Sequence, residues 1–216
     1  KTNLLEAAYL LAIAKSYRTN VERELIHGFA QKSSERPNSP GSPMVEQTII
    51  SGEVEQREGR LRVIVGLRVV SEGGAGGALV QKQIRVNGAP TSSTGLVGCV
   101  NAVLFSATAI DLVQGPPAQR RRFLDILISQ VDRSYLRTLQ RYQRVLTQRN
   151  GLLRLIREGR SAPQELDFWD SELVKEGSPL VARRDQVVQQ LAPLAMRSYR
   201  KLAPDESLSI VFQPSV

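Results

Sequence analysis

The sequence has 216 residues, 41% of them hydrophobic, which is material for one large or two small cored domains. A single cysteine, Cys99, and a single histidine, His27, exclude a disulfide framework and a Cys/His metal site. The net charge is +8, no apolar run approaches the roughly 18 residues that span a bilayer, and no signal peptide is visible, so a cytoplasmic protein without membrane attachment is expected.

Lys1 to Ala14 reads as the first helix, with Leu4, Leu5, Ala8, Leu11 and Ala12 at helical spacing as its buried face. It opens on Lys1-Thr2-Asn3. A Lys-Thr pair running into an apolar helix is how a phosphate-binding loop ends. The ammonium reaches the terminal phosphates, the hydroxyl sits on Mg²⁺, and the helix N-terminus points free N–H groups at the anion. The glycines of such a loop would lie before Lys1, and a plain helix start with a Thr in its first turn competes with this reading. Ser16-Tyr17-Arg18-Thr19 follows as a polar loop, where Arg18 either returns a cation to the nucleotide or is simply exposed, and Val21 to Phe29 forms a further short helical turn.

Gln31 to Pro43, rich in Ser and Pro, reads as a loose surface connection. The period then changes to that of strands: Thr48 to Val54, a hairpin at Glu58-Gly59, and a run in which Leu61, Val63, Val65, Leu67 and Val69 alternate strictly. Ser71 to Ala78 is a glycine-rich turn, without the Lys-Ser or Lys-Thr of a phosphate loop. Leu79 to Val86 is the third strand of an antiparallel meander, closed by Asn87-Gly88. Leu96 to Phe105 is apolar and is expected to end in a buried strand at Val103-Leu104-Phe105.

Gly115-Pro116-Pro117 opens the helical part. Ala118 to Val131 and Arg133 to Glu158 are its first two helices. In the second, Tyr135, Leu139, Tyr142, Leu146, Arg149, Leu153 and Ile156 alternate by four and three residues, a packing seam interrupted by Arg149. Pro163 starts a third helix carrying Leu166, Phe168, Trp169, Leu173 and Val174, Gly177-Ser178-Pro179 is read as its end, and Leu180 to Leu202 as a fourth. Leu208 to Phe212 reads as a strand. With no Met at the start and a strand at the end, a segment cut at both ends is expected.

The basic charge is concentrated. Between Val113 and Arg160 stand eleven arginines and no lysine against Asp125, Asp132 and Glu158, so 11 − 3 = +8 and the remainder is neutral overall. Guanidinium groups bind oxyanions bidentately, which suits phosphate contact, while a solvated helix face accounts for the same charge.

Taken together, the motifs resemble the RecF family of bacterial recombination-repair proteins, related to SMC-type ATPases. The matching stretches are Lys1-Thr2-Asn3-Leu4-Leu5-Glu6-Ala7, Ser16-Tyr17-Arg18-Thr19, Arg23-Glu24-Leu25-Ile26, Val103-Leu104-Phe105-Ser106, Gly115-Pro116-Pro117-Ala118-Gln119-Arg120-Arg121-Arg122-Phe123-Leu124-Asp125, then Tyr142, Gln148-Arg149-Asn150 with Leu152-Leu153, and Trp169-Asp170. They keep the family's order and spacing across nearly the whole chain, and the Arg-Arg-Phe-Leu-Asp and Gln-Arg-Asn stretches are the specific ones.

The resemblance implies a mixed α/β chain. A partial P-loop ATPase head with an antiparallel sheet would occupy 1–112, a helical arm 113–203, and a strand returning to the head 204–216. ATP would be sandwiched between two heads, closing a homodimer over DNA at junctions of single and double strands and, with RecO and RecR, promoting RecA loading. By position, Lys1, Thr2 and Asn3 belong to the nucleotide site, with Thr2 as Mg²⁺ ligand, and Arg18 resembles an arginine placed near nucleotide or DNA. Arg120, Arg121, Arg122, Arg137, Arg141 and Arg144 are the candidate DNA contacts. The family's usual Ser-Pro-Glu-Asp-Leu is replaced by Ser106-Ala107-Thr108-Ala109-Ile110, which loses both acids. The signature motif and the Walker B aspartates belong after Val216 in family order, so ATP hydrolysis is not expected of this segment. An alternative reading, from another class of function, takes the arm as a protein-interaction module that docks a partner such as RecR, without nucleotide or DNA activity of its own and with its charge incidental.

Overall fold

The computed structural model describes residues 2–19, 21–30, 47–70 and 79–214. The chain divides into two compact units, Lys1–Ser106 and Ala107–Val216. The connection from Gln31 to Pro43 and the turn from Ser71 to Ala78 lie outside the described residues.

In the first unit, α1 (Thr2–Ile13) and α2 (Glu22–Ala30) precede a four-stranded antiparallel meander of β1 (Gln47–Gln56), β2 (Gly59–Val70), β3 (Leu79–Val86) and β4 (Ala89–Thr91), in sequence order. The strict alternation in β2 does what a period of two dictates: Val63, Val65 and Leu67 turn inward and are buried. Their cross-strand partners include Ile84, paired with Val65, which joins the same core. Leu10, Leu25, Ile26 and Leu96 complete that core, so α1 and α2 cover one face of the sheet. At the β3–β4 turn Asn87 and Gly88 both have positive φ, 49° and 84°, the backbone of a type I′ hairpin. The short strand β4 that the hairpin creates is not evident in the sequence pattern, since Ala-Pro-Thr has no period.

The buried face of α1 matches the expected one only in part, at Ala12 and the half-buried Leu11. Glu6, Tyr9, Leu10, Ala12 and Ile13 are inside, whereas Leu4 and Leu5 are 75% and 54% exposed and Ala8 is exposed too. The helix is apolar nearly all round, so periodicity alone cannot choose which side meets the sheet. Leu11 lies at the edge of the contact, and a Cβ on Gly52 of β1 would stand 2.7 Å from its Cδ1. The strand expected at Val103 to Phe105 is also not found. Residues 101–106 have no regular structure and make no ladder, and Val103 and Phe105 are 87% and 89% exposed. Strand-like composition does not form a strand without a neighbouring backbone to accept its hydrogen bonds.

The second unit is helical. The first unit also holds the short helix α3 (Ser93–Leu96); in the second, a 3₁₀ turn at Ala107–Ile110 leads through α4 (Asp111–Gln114) to α5 (Pro117–Val131), α6 (Arg133–Arg157) and α7 (Leu166–Tyr199). Asp132 ends α5 and caps α6, its Oδ1 accepting from the Tyr135 N–H at 3.0 Å. Ile128, Tyr135 and Leu180, one from each long helix, form the core, with Leu124, Leu139, Tyr142 and Val187 against it.

Gly177-Ser178-Pro179 does not break the chain: α7 runs through it, and through Pro193, for 34 residues. Two contacts, one local and one with α6, show why. Ser178 Oγ donates to the Val174 carbonyl at 2.7 Å, and Gly177 lets α7 approach Tyr142 of α6 so closely that a Cβ there would lie 3.2 Å from the ring. Packing along α6 outweighs the roughly 3 kcal/mol a helical proline costs. Leu208 to Phe212 is likewise not a strand; it is irregular, and Phe212 and Pro214 line a groove with Tyr142, Leu173 and Gly177. Among the described residues no helix is long and apolar enough to cross a membrane, and no cluster of His, Cys, Asp and Glu could hold a metal ion.

Candidate nucleotide site and arginine-rich arm

Thr2 and Asn3 occupy the first turn of α1 and are exposed; Lys1 lies outside the described residues. The helix is held from its other end. Tyr9, Leu10, Ala12 and Ile13 are buried, Tyr9 meets Tyr17 edge to face at 5.9 Å, and the chain leaves through Ala14, whose φ is +61°. Lys82 of β3 donates to the Ala14 carbonyl at 2.8 Å and pairs with Glu22 of α2, so a cation supports the left-handed exit. The first turn is thereby presented to solvent with its N–H groups forward, the arrangement that accepts a phosphate.

Arg18 is brought to the same helix by a residue that the sequence reading did not assign a role. The Glu6 carboxylate, buried on α1, accepts the Ser16 hydroxyl on one oxygen and pairs with Arg18 Nη1 at 3.3 Å on the other. Ser16 Oγ in turn accepts the backbone N–H groups of Arg18 at 3.0 Å and Thr19 at 3.2 Å. Glu6 is four residues after Thr2 and three after Asn3, one turn along the same face. The signal was in the sequence: Glu6, Tyr9, Leu10 and Ile13 form an i, i+3, i+4, i+7 stripe, and an acid on an apolar stripe requires a partner.

In the arm the six candidate arginines fall into different environments. All six are exposed, three on α5 and three on α6, and they differ in the bonds they make. Arg120 donates to the carbonyls of Gly115 at 2.8 Å and Leu112 at 3.3 Å, which closes the turn between α4 and α5. Arg141 joins Glu176 of α7 at 2.8 Å and Thr138 at 3.0 Å, and Arg144 reaches back to the Gln140 carbonyl at 3.4 Å. The Glu176 hydrogen bond raises the Arg141 pKa, outweighing desolvation.

The most specific motifs turn out to be internal ties. Asp125 of the Arg-Arg-Phe-Leu-Asp stretch takes a two-pronged bond from Arg184, Nε to Oδ1 at 2.8 Å and Nη2 to Oδ2 at 3.0 Å, and accepts the Tyr135 hydroxyl. Arg149, the charge that interrupts the seam of α6, pairs with Asp170 beside Trp169. Arg183 pairs with the capping Asp132 at 3.2 Å. Burial first, and then the Asp125 carboxylate, push the Tyr135 phenol well above its ordinary range, against the opposing effect of Arg184.

No protein-family model matches the chain. It is 40% identical over 211 residues to the DNA replication and repair protein RecF of Chloroflexus aggregans, covering 95% of this chain and 52% of that protein. To the protein of the same description from Roseiflexus castenholzii it is 39% identical over 223 residues, covering 100% of this chain and 55% of the relative. Its fold superposes on a solved structure of the recombination mediator protein RecF-ATP in the RecFOR pathway with a TM-score of 0.76, at 25% identity, over 94% of this chain and 48% of that one. The chain is thus a homologue of RecF proteins over nearly its whole length, and it spans about half the length of the curated relatives it matches.

Proposed function

We propose that this chain contributes a nucleotide-gripping helix and a DNA-binding arm to an ATP-gated clamp of DNA replication and recombinational repair, working in the cytoplasm. Sequence identity of 39–40% to RecF proteins over nearly the whole chain carries this reading. The exposed first turn of α1 supports it: Thr2 offers a hydroxyl to the Mg²⁺ of bound MgATP, Asn3 lies in the same turn, Lys1 precedes them, and Arg18 stands ready as a second cation. ATP supplies the gate, since its triphosphate is the anion that such a helix end recognises. Two such heads would close as a homodimer over a single-strand/double-strand junction, with RecR and RecO as partners and RecA loading as the outcome.

For DNA, the environments above rank the arginines. Arg121 and Arg137 are the best phosphate contacts, whereas Arg120, Arg141 and Arg144 carry structural bonds as well. The reading is tested in the polypeptide that carries these 216 residues. Binding of a fluorescent ATP analogue with Mg²⁺, and ATP-dependent retention of a gapped duplex, should both be lost in Thr2→Ala. Arg121→Ala combined with Arg137→Ala should flatten the salt dependence of DNA affinity by up to ~2 units. Wild-type protein with no nucleotide affinity, or a double variant with an unchanged slope, refutes the corresponding half.

A further inference from the structure

We propose that Glu6 is a positioning residue for the bound triphosphate, one that sets Arg18 at the level of the first turn of α1; this rests on the nucleotide reading above. In a helix the Cα–Cβ bonds tilt toward the N-terminus, so the Glu6 side chain leans toward the turn that carries Thr2 and Asn3. Its carboxylate is buried, and both oxygens are engaged. One oxygen holds Arg18 through its guanidinium, and the other holds Ser16, whose Oγ pins the Arg18 and Thr19 backbone N–H groups. Glu6 therefore fixes Arg18 by both its main chain and its side chain.

The charges decide what this is for. A bare carboxylate one turn below a phosphate site would repel a triphosphate. Paired with Arg18 it is neutralised, and the arginine, bonded to Glu6 through Nη1 and with its side chain 52% exposed, keeps further donors available to an anion. Removing the negative charge then has opposite consequences under two accounts. If Glu6 only adds negative potential, its loss tightens ATP. If it positions Arg18, its loss weakens ATP.

The test is a double-mutant cycle in the polypeptide that carries this chain, titrated with MgATP and MgADP by calorimetry. Glu6→Gln keeps the shape and can still accept the Ser16 proton, yet ATP affinity should fall about 5-fold to 10-fold. Arg18→Ala should fall as far, and the double variant no further than Arg18→Ala alone. Ser16→Ala, which leaves both charges and removes the hydroxyl that bonds Glu6 and tethers the Arg18 and Thr19 backbone, should weaken ATP in the same direction. Helical circular dichroism and melting midpoints identify any variant that has lost its fold, and Ser16→Ala then carries the decision. ATP binding that is unchanged or tighter in Glu6→Gln, or effects of Glu6→Gln and Arg18→Ala that multiply, overturns the assignment while leaving the nucleotide reading intact. A wild-type protein that binds no ATP, or a Thr2→Ala variant that binds it normally, overturns both.

Discussion

Replacing Asp125 by Ala should be among the most damaging single changes available in the arm. The Asp125 and Arg184 side chains are 16% and 12% exposed, so their ion pair is largely out of water. Asp125→Ala strips the acceptor from two Arg184 donors, Nε and Nη2, and from the Tyr135 hydroxyl, and leaves a guanidinium buried without its counter-charge. Breaking one partner of a buried pair costs about 3–5 kcal/mol, mostly the penalty of the stranded charge. For a helical unit of this size that corresponds to a melting midpoint lowered by roughly 15 °C. The assay is thermal and urea unfolding followed by helical circular dichroism. The decisive control is Asp125→Leu combined with Arg184→Met, which removes both charges and fills the space with apolar groups. It should recover most of the loss, because the penalty belongs to the unpaired charge and not to the absent bond. An Asp125→Ala variant within about 1 kcal/mol of wild type, or a double variant no more stable than Asp125→Ala alone, refutes the reasoning.

The same cluster predicts an alkaline limit. The Tyr135 phenol is raised above its ordinary value of about 10, by burial first and then by Asp125, so the folded state binds that proton more tightly than the unfolded state does. Its contribution is fully present below about pH 10 and is lost as pH rises beyond it. Urea midpoints should fall above that pH in wild type and fall less steeply in Tyr135→Phe, and absorbance at 295 nm should show one tyrosine ionising only with unfolding. Equal slopes for the two proteins would contradict the shift. Gly115→Ala places a Cβ 2.4 Å from the Asp111 carbonyl oxygen, at the turn that Arg120 also closes. Backbone cannot yield as a side-chain tip can, so a loss of about 1–3 kcal/mol is expected, read in the same unfolding experiments; a neutral variant would show that the turn is looser than the geometry describes.

How much of this was legible in the sequence depends on whether a local rule had competition. In β2 the alternation of Val63, Val65 and Leu67 admits one solution, and Asn87-Gly88 admits one turn, so the meander follows from the residues. In α1, Leu4, Leu5, Ala8 and Leu11 are as apolar as Tyr9, Leu10 and Ile13, and only the sheet decides between the two faces. Gly177-Ser178-Pro179 carries three local signals against a helix, yet long-range contact with Tyr142 overrides them. Ion pairs such as Arg184 with Asp125 join residues 59 apart in sequence, and no single-sequence pattern specifies them. At the candidate site, Thr2 and Arg18 were legible as chemistry, but Glu6, which holds Arg18 to α1, was visible only as an unexplained acid on an apolar stripe.

The fate of the arginines shows why charge density alone misdirects. Eleven arginines between Val113 and Arg160 outnumber the acids there by eight, which suggests a uniformly phosphate-binding surface. Folding brings acids from beyond that stretch to meet them. Glu176 takes Arg141 and Asp170 takes Arg149, both from α7. Traffic runs the other way too, since Asp125 and Asp132 inside the basic stretch are claimed by Arg184 and Arg183 of α7. The stretches that carry the resemblance, Arg-Arg-Phe-Leu-Asp and Gln-Arg-Asn as the specific ones and Trp-Asp beside them, therefore include residues that tie α5, α6 and α7 together. Their ion pairs hold the arm's helices together, and the proposed DNA contact is left to arginines such as Arg121 and Arg137. Substitution of Arg149 should accordingly lower arm stability and leave the salt slope of DNA binding where it was, whereas substitution of Arg121 should do the reverse.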